Sequence, residues 1–143
     1  MEGQEEMEPK ARATALKEQL MERLPADLAK RVRPVFDDMI PAYWQGFDIA
    51  DHIRHARFIG QSLKSGLNQA VHVRVNKPRD NTELWVLTHD HPGLFSKLTA
   101  IIGTMGALIV GARLHTGHTG RVMNIFYLQN NNALAYGLSL IHI

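Results

Sequence analysis

The 143-residue sequence contains no cysteine. That count excludes a disulfide framework, a thiolate-held zinc or iron–sulfur centre and a thiol nucleophile, and it suits a reducing, cytoplasmic setting. An excess of one charge is also lacking, because 16 Lys and Arg stand against 14 Asp and Glu for a net +2. Lys30, Arg31, Arg33, Arg54 and Arg57 interleave with acidic residues and build no basic stripe, so no nucleic-acid partner is expected. Long apolar runs are missing too. The uncharged run between Lys97 and Arg113 has 15 residues, which include three Gly and two Thr. A membrane helix needs roughly 20 apolar residues, so no span is expected. The start, Glu2, Gly3, Gln4, Glu5 and Glu6, has no basic and apolar leader pattern, and no export is expected. Gly103, Gly106 and Gly111 fit neither G-x-G-x-x-G nor a G-K-[ST] phosphate loop, which disfavours Rossmann and P-loop enzymes.

What is present is an ordinary packing composition, 45% hydrophobic and 21% charged, at a length that suits one domain rather than several. The charges are uneven: residues 1–80 hold 13 Lys and Arg and 12 Asp and Glu, and the remainder holds three and two. The charged part reads as helices. After Pro9, the residues Ala13, Leu16, Leu20 and Leu24 recur every three or four positions, and Pro25 ends that helix. A second helix over residues 26–39 carries Leu28, Val32, Val35 and Met39, with Pro34 expected to kink or split it. Tyr43, Trp44 and Phe47 form an aromatic connection between Pro41 and Gly46 that is expected to pack down. Asp48 fits the N-cap of a third helix striped by Ile49, Ile53, Ala56, Ile59 and Leu63 and closed at Gly66.

Near residue 70 the period changes to alternation. Val71, Val73 and Val75 mark one strand and residues 84–88 a second, with Pro78, Asp80 and Asn81 between them, so the two can pair as a hairpin. The turn His89, Asp90, His91, Pro92, Gly93 leads to a helix with Leu94, Leu98, Ile101 and Met105 in line, ending at Gly106. Residues 107–116 and 121–129 read as strands joined by the Gly117, His118, Thr119, Gly120 turn. The order β-α-β-β supplies three strands and one helix of a split βαβ, or ferredoxin-like, unit. Both faces of the later strands are apolar: Leu108, Val110, Ala112 and Leu114 oppose Ala107 and Ile109, and Val122, Phe126 and Leu128 oppose Met123, Ile125 and Tyr127. An antiparallel sheet with one wet face would alternate with polar residues. A cover is therefore expected, from the N-terminal helices or from a second copy.

Residues 83–129, ELWVLTHDHPGLFSKLTAIIGTMGALIVGARLHTGHTGRVMNIFYLQ, resemble an ACT domain, the small-molecule-sensing βαββαβ module. The D-x-P-G-L-F turn, the M-G-A helix end, A-R-L-H-T and the Gly-Arg hairpin are similar to the first ACT domain of bifunctional uridylyltransferase/uridylyl-removing enzymes. Upstream, Pro41, Ala42, Tyr43, Trp44 and Phe47 followed by HIRHARFI resemble the connector between the HD hydrolase domain and the ACT pair of that family, and the likeness spans about residues 10–137. The resemblance implies an α+β chain: a helical segment (tail of an HD-type region) over 1–66, a strand and linker over 67–81, and a C-terminally incomplete ACT sandwich over 82–137. After Tyr136 and Gly137 the pattern is lost. Residues 138–143, LSLIHI, read as adaptor-derived, non-native sequence. The second helix and fourth strand would then be missing, and the exposed edge would make the chain prone to aggregate, with pairing of the strand at 70–75 against residues 84–88 as a partial compensation. The family's catalytic domains, which use Mg2+ and UTP on the nitrogen-regulatory PII protein, are not part of the likeness, so no catalytic residue is expected here. A stand-alone ACT-like binding or dimerisation module is the alternative.

Physics gives the turn a role beside the resemblance. Asp90 can accept backbone N–H bonds, Pro92 fits a first helical turn, and Gly93 permits close approach. The free amides of the helix start, with about half a positive charge, suit a ligand carboxylate; the same residue types equally suit plain helix capping. The resemblance implies glutamine as effector, bound by Asp90, His91, Pro92, Gly93, Leu94 and Phe95, with ACT–ACT association. Of the eight histidines, the pairs His52/His55, His89/His91 and His115/His118 have feasible ligand spacing, but none has a third ligand fixed by sequence. Histidines in solvent or in supporting roles are expected, and no metal. Trp44 and Trp85 are expected in the core.

Overall fold

The computed structural model describes residues 8–66 and 69–130. The acidic start, the loss of pattern after Tyr136 and Gly137, the expected tail at residues 138–143 and any second ACT helix fall outside the described residues. The chain divides into two units, Met1–Asn68 with His115–Thr119, and Gln69–Leu114 with Gly120–Ile143.

In the first unit, α1 runs Pro9–Arg23 and ends before Pro25, with Ala13, Leu20 and Met21 buried. Helix α2, Ala26–Asp38, carries Pro34 inside it without being split. Proline removes one helical hydrogen bond there, while Val32, Val35 and Phe36 on either side are buried. The aromatic connection contains a short helix, α3, Pro41–Gln45, with Tyr43 and Trp44 buried. Phe36 lies 6.0 Å from Tyr43 and 5.4 Å from Trp44 between ring centroids.

Helix α4, Ile49–Lys64, starts at the expected cap. Asp48 Oδ1 accepts the Asp51 N–H at 2.9 Å and Asp51 Oδ2 accepts the Asp48 N–H at 3.4 Å, a reciprocal arrangement that satisfies two open amides. Its buried face differs from the expected stripe. His52, His55, Ala56 and Ile59 are buried, whereas Ile49 and Ile53 are only half-buried. The Tyr43 ring lies tilted at 5.3 Å and the Trp44 ring edge-on at 4.9 Å from the His52 ring, so imidazoles take the place of the aliphatic stripe against α3.

The second unit is a sheet with one helix. Strands β1 (Ala70–Asn76), β2 (Asn81–His89), β3 (Leu108–Thr116) and β4 (Arg121–Gln129), with α5 (Leu94–Thr104) between β2 and β3, form a four-stranded sheet in the order β1-β2-β4-β3. The expected β1–β2 hairpin forms with Val73 opposite Leu84 and Asn76 opposite Asn81, closed by the Asp80 N–H to the Lys77 carbonyl at 3.0 Å. β2 also pairs antiparallel with β4, Trp85 facing Ile125. This is an α+β, ferredoxin-like arrangement. The outer edge of β2, where a split βαβ unit seats its last strand, is occupied by the preceding strand β1, as the expected hairpin allows.

Leu84, Val86, Phe126 and Leu128 form one core with Ile102 and Ala107, and Val73, Leu98 and Met105 pack against it. Trp85, Leu87, Met123 and Ile125 point the other way and are buried as well, as the double-sided apolar pattern requires. β3 behaves differently: Leu108, Ile109, Val110 and Leu114 are exposed.

Candidate functional site

The turn before α5 is built by its own residue chemistry. The Leu94 N–H donates to the His91 carbonyl at 3.1 Å, and Gly93 sits at φ 79°, ψ 3° as the helix N-cap. Those are the marks of a type II turn with Pro92 second and Gly93 third, a position that demands a positive φ. Pro92 therefore precedes the helix instead of occupying its first turn, because the turn uses its fixed φ one step earlier. Asp90 does not cap α5 either; among the described residues no side chain caps it. Instead the Asp90 N–H donates to the Gly120 carbonyl at 2.8 Å, fastening the end of β2 to the turn that opens β4.

The first intrahelical bond runs from the Lys97 N–H to the Gly93 carbonyl at 2.9 Å, so the Phe95 and Ser96 amides have no intrahelical acceptor. They lie at the positive end of the helix dipole. Asp90, His91, Pro92 and Gly93 are exposed around them and Leu94 is buried. Phe95 is 48% exposed, with its ring stacked 6.2 Å from Phe126. The His91 Nδ1 lies 3.1 Å from the Pro92 carbonyl. The sequence-derived residues 90–95 are thus adjacent, and together they offer open amides beside a half-bare aromatic wall. Hydrogen bonds from such groups to a carboxylate are worth about 1.5–3 kcal/mol each.

The histidines distribute otherwise than expected. His89, His91 and His118 are exposed, but His52, His55 and His115 are buried. The Tyr43 hydroxyl and His55 Nδ1 share a hydrogen bond of 2.6 Å. Tyr43 lies 5.3 Å from His52 and 5.4 Å from His115, and Phe47 lies 4.8 Å from His55 and 5.7 Å from His115. Both ring nitrogens of His52 are buried without a hydrogen-bond partner. Burial pulls its pKa down to about 4 against the opposing pull of Asp51 and Asp48. Burial likewise raises the Tyr43 hydroxyl well above its usual range. Spacing alone could not separate these buried rings from solvated ones; the nearby Tyr43, Trp44 and Phe47 were the available signal. Among the described residues, no group of three or more His, Asp or Glu is placed to hold a metal.

The two tryptophans are core residues, as expected; the Trp85 Nε1–H donates to the Glu83 carboxylate at 2.9 Å. Several cations are spent on neighbouring carboxylates: Arg33 pairs with Glu18 at 3.0 Å, and Lys17 pairs with Asp37 and Arg54 with Asp51, each at 2.6 Å. No helix among the described residues is long and apolar enough to cross a membrane.

Comparison with known proteins supplies the family. The bifunctional uridylyltransferase/uridylyl-removing enzyme of Rhodospirillum rubrum is 42% identical over 89 residues, which is 62% of this chain and 10% of that protein. Its namesake in Gluconobacter oxydans is 38% identical over 96 residues, 67% of this chain and 10% of that protein. In Ruegeria pomeroyi the match is 29% over 136 residues, 94% of this chain and 15% of that protein. No family model and no solved structure matches the chain. By sequence the chain belongs with the bifunctional uridylyltransferase/uridylyl-removing enzymes, as the counterpart of one segment making up 10–15% of their length.

Proposed function

We propose that this chain is the amino-acid-sensing ACT region of an enzyme that adds uridylyl groups to, and removes them from, the nitrogen-regulatory PII protein in the cytoplasm. It contributes recognition rather than bond-making chemistry. The catalytic steps, with Mg2+ and UTP, belong to other domains of such an enzyme. The observation that carries this reading is the turn at residues 90–95. Gly93 at φ 79° leaves the start of α5 without a side-chain cap, and its open amides suit the carboxylate of a free amino acid. Glutamine is the effector that the family likeness suggests.

Calorimetric titration with L-glutamine tests it. A saturable heat is expected, and Gly93→Val is expected to abolish that heat while costing about 1–3 kcal/mol of folding stability, the usual penalty for a strained backbone position. Equal loss of fold and binding would make the turn purely structural. A second reading, a stand-alone ACT-like module that associates with another ACT unit, is favoured by the exposed Leu108, Val110 and Leu114 on the last strand of the sheet. Self-association by light scattering without any glutamine heat would select it.

A further inference from the structure

β4 carries one polar side chain where its inward row calls for an apolar one. Val122, Asn124, Phe126 and Leu128 alternate along one face of the strand, and Asn124 lies opposite Val86 across the sheet. Val86, Phe126 and Leu128 belong to the core that α5 closes, so Asn124 points to the α5 side. It is 4% exposed, and its Oδ1 is buried without a hydrogen-bond partner. Buried polar atoms are almost always paired, because an unpaired one forfeits its bonds to water without replacement. An apolar residue would satisfy the fold at less cost. Packing therefore leaves this oxygen unexplained.

The place of Asn124 beside the 90–95 turn is fixed from both directions along β4. Just before the strand, the Gly120 carbonyl accepts the Asp90 N–H at 2.8 Å. Two residues beyond Asn124, the Phe126 ring stacks on Phe95 at 6.2 Å. The stretch 120–126 thus runs beside the turn and the start of α5, and residues 122, 124 and 126 of it face α5. Asn124 is the polar one among them. This face is open on the β3 side. A Cβ on Gly111 would lie 3.4 Å from the Tyr127 ring, which puts Gly111 on the opposite face and, by alternation, Val110 and Leu114 on the Asn124 face. Both are exposed, as is Phe95. A buried acceptor, the Phe95 and Ser96 amides and exposed apolar side chains around them complement a small molecule with a carboxylate at one end and N–H groups at the other.

We propose that Asn124 determines which effector the site takes: its Oδ1 accepts an N–H of a side-chain carboxamide, while the Phe95 and Ser96 amides hold the main-chain carboxylate. The proposal rests on the reading of residues 90–95 as the effector site. A carboxamide brings two N–H donors, whereas an ionised carboxylate brings none and sets its lone pairs against those of the asparagine oxygen. A buried acceptor discriminates by being left unpaired with the wrong ligand. Glutamine is accepted on this basis, and glutamate, of nearly the same shape, is refused.

The test is calorimetric titration of the 143-residue chain with L-glutamine and with L-glutamate, in the parent and in Asn124→Leu, with thermal melts of both proteins. The parent is expected to bind L-glutamine at least about tenfold more tightly than L-glutamate. Asn124→Leu is expected to weaken L-glutamine about tenfold and to bring the two ligands within about threefold of each other. Its melting temperature is expected to stay level or rise, since exchanging an unpaired buried polar group for an apolar one is neutral or favourable. Asn124→Ala, which cannot overpack, carries the ligand comparison if Asn124→Leu does not fold.

Glutamine heat in the parent with an unchanged preference over glutamate in the variant overturns the role of Asn124 and spares the effector site. A melting temperature that falls together with glutamine affinity does the same, by marking the side chain as structural, and so does a parent that binds both ligands equally. No heat with either ligand in the parent removes the effector site and this proposal together.

Discussion

Strands β3 and β4 are neighbours of nine residues each, both rich in aliphatic side chains, yet they meet different fates. Phe126 on β4 is 0% exposed, and Val122 and Leu128 are buried beside it; Val110 on β3 is 54% exposed, and Leu108 and Leu114 nearly as much. Composition does not separate them. Position does, because β4 lies between β2 and β3 while, among the described residues, β3 ends the sheet. The core that α5 closes through Ile102 draws on Leu84, Val86, Phe126 and Leu128, from β2 and β4. A strand apolar on both faces therefore announces surface to be covered without naming what covers it. β4 commits that surface to folding, and β3 retains it.

The largest expected effect exploits this contrast. Phe126→Ala removes a fully enclosed ring that also stacks on Phe95, and it is expected to cost about 3–5 kcal/mol in urea unfolding, transfer and cavity terms together. Val110→Ala is expected to cost under about 0.5 kcal/mol, as surface substitutions do. Comparable losses would mean that β3 is as much a part of the core as β4.

The histidines show the same division between enclosed and open, and they make it sensitive to acid. His52 is 1% exposed, enclosed by Trp44 at 4.9 Å, Tyr43 at 5.3 Å and Phe47 at 6.4 Å. Its pKa of about 4 lies below the ordinary 6.5, so the folded chain binds fewer protons than the unfolded one in that interval. Its contribution to stability is complete above the ordinary value and is lost as pH falls towards 4. The loss runs at up to about 1.4 kcal/mol per pH unit, or about 3 kcal/mol over the interval. His52→Leu is expected to flatten that part of a profile of melting temperature against pH. An unchanged slope in His52→Leu would show that acid acts elsewhere.

How far these features could be read in advance follows from their range along the chain. Local signals carried through: the Asp48 cap, Pro25 as a stop, the β1–β2 hairpin and the change of period near residue 70 each depend on neighbours a few residues apart. The 90–95 turn was legible as a turn, but its chemistry was shifted by a step. Proline at the second place of a type II turn and proline in the first turn of a helix use the same fixed φ, so the residue type cannot distinguish them. Contacts between distant residues were invisible. Nothing near Asp38 in sequence marks it as the hydrogen-bond partner of Thr119, and His115 carries no sign that Tyr43 and Phe47 enclose it. The place of β1 at the outer edge of β2 was legible for the same reason as the local signals, since the short Pro78 loop lets the preceding strand pair there in place of a missing one.

The smallest expected effect on folding is the sharpest test of what β3's retained surface is for. Val110→Lys places a charge on the sheet's last strand, at a side chain already half in water, and folding has little there to lose; a change within about 0.5 kcal/mol is expected. Association through that strand would respond differently. An edge strand offers unpaired N–H and carbonyl groups to another chain, and a lysine on it obstructs edge-to-edge pairing by its charge and by the cost of desolvating it. Val110→Lys is therefore expected to lower the average mass seen by light scattering while leaving the melting temperature unchanged. A fall in melting temperature with unaltered mass would place Val110 in the fold's own core and erase the distinction between β3 and β4.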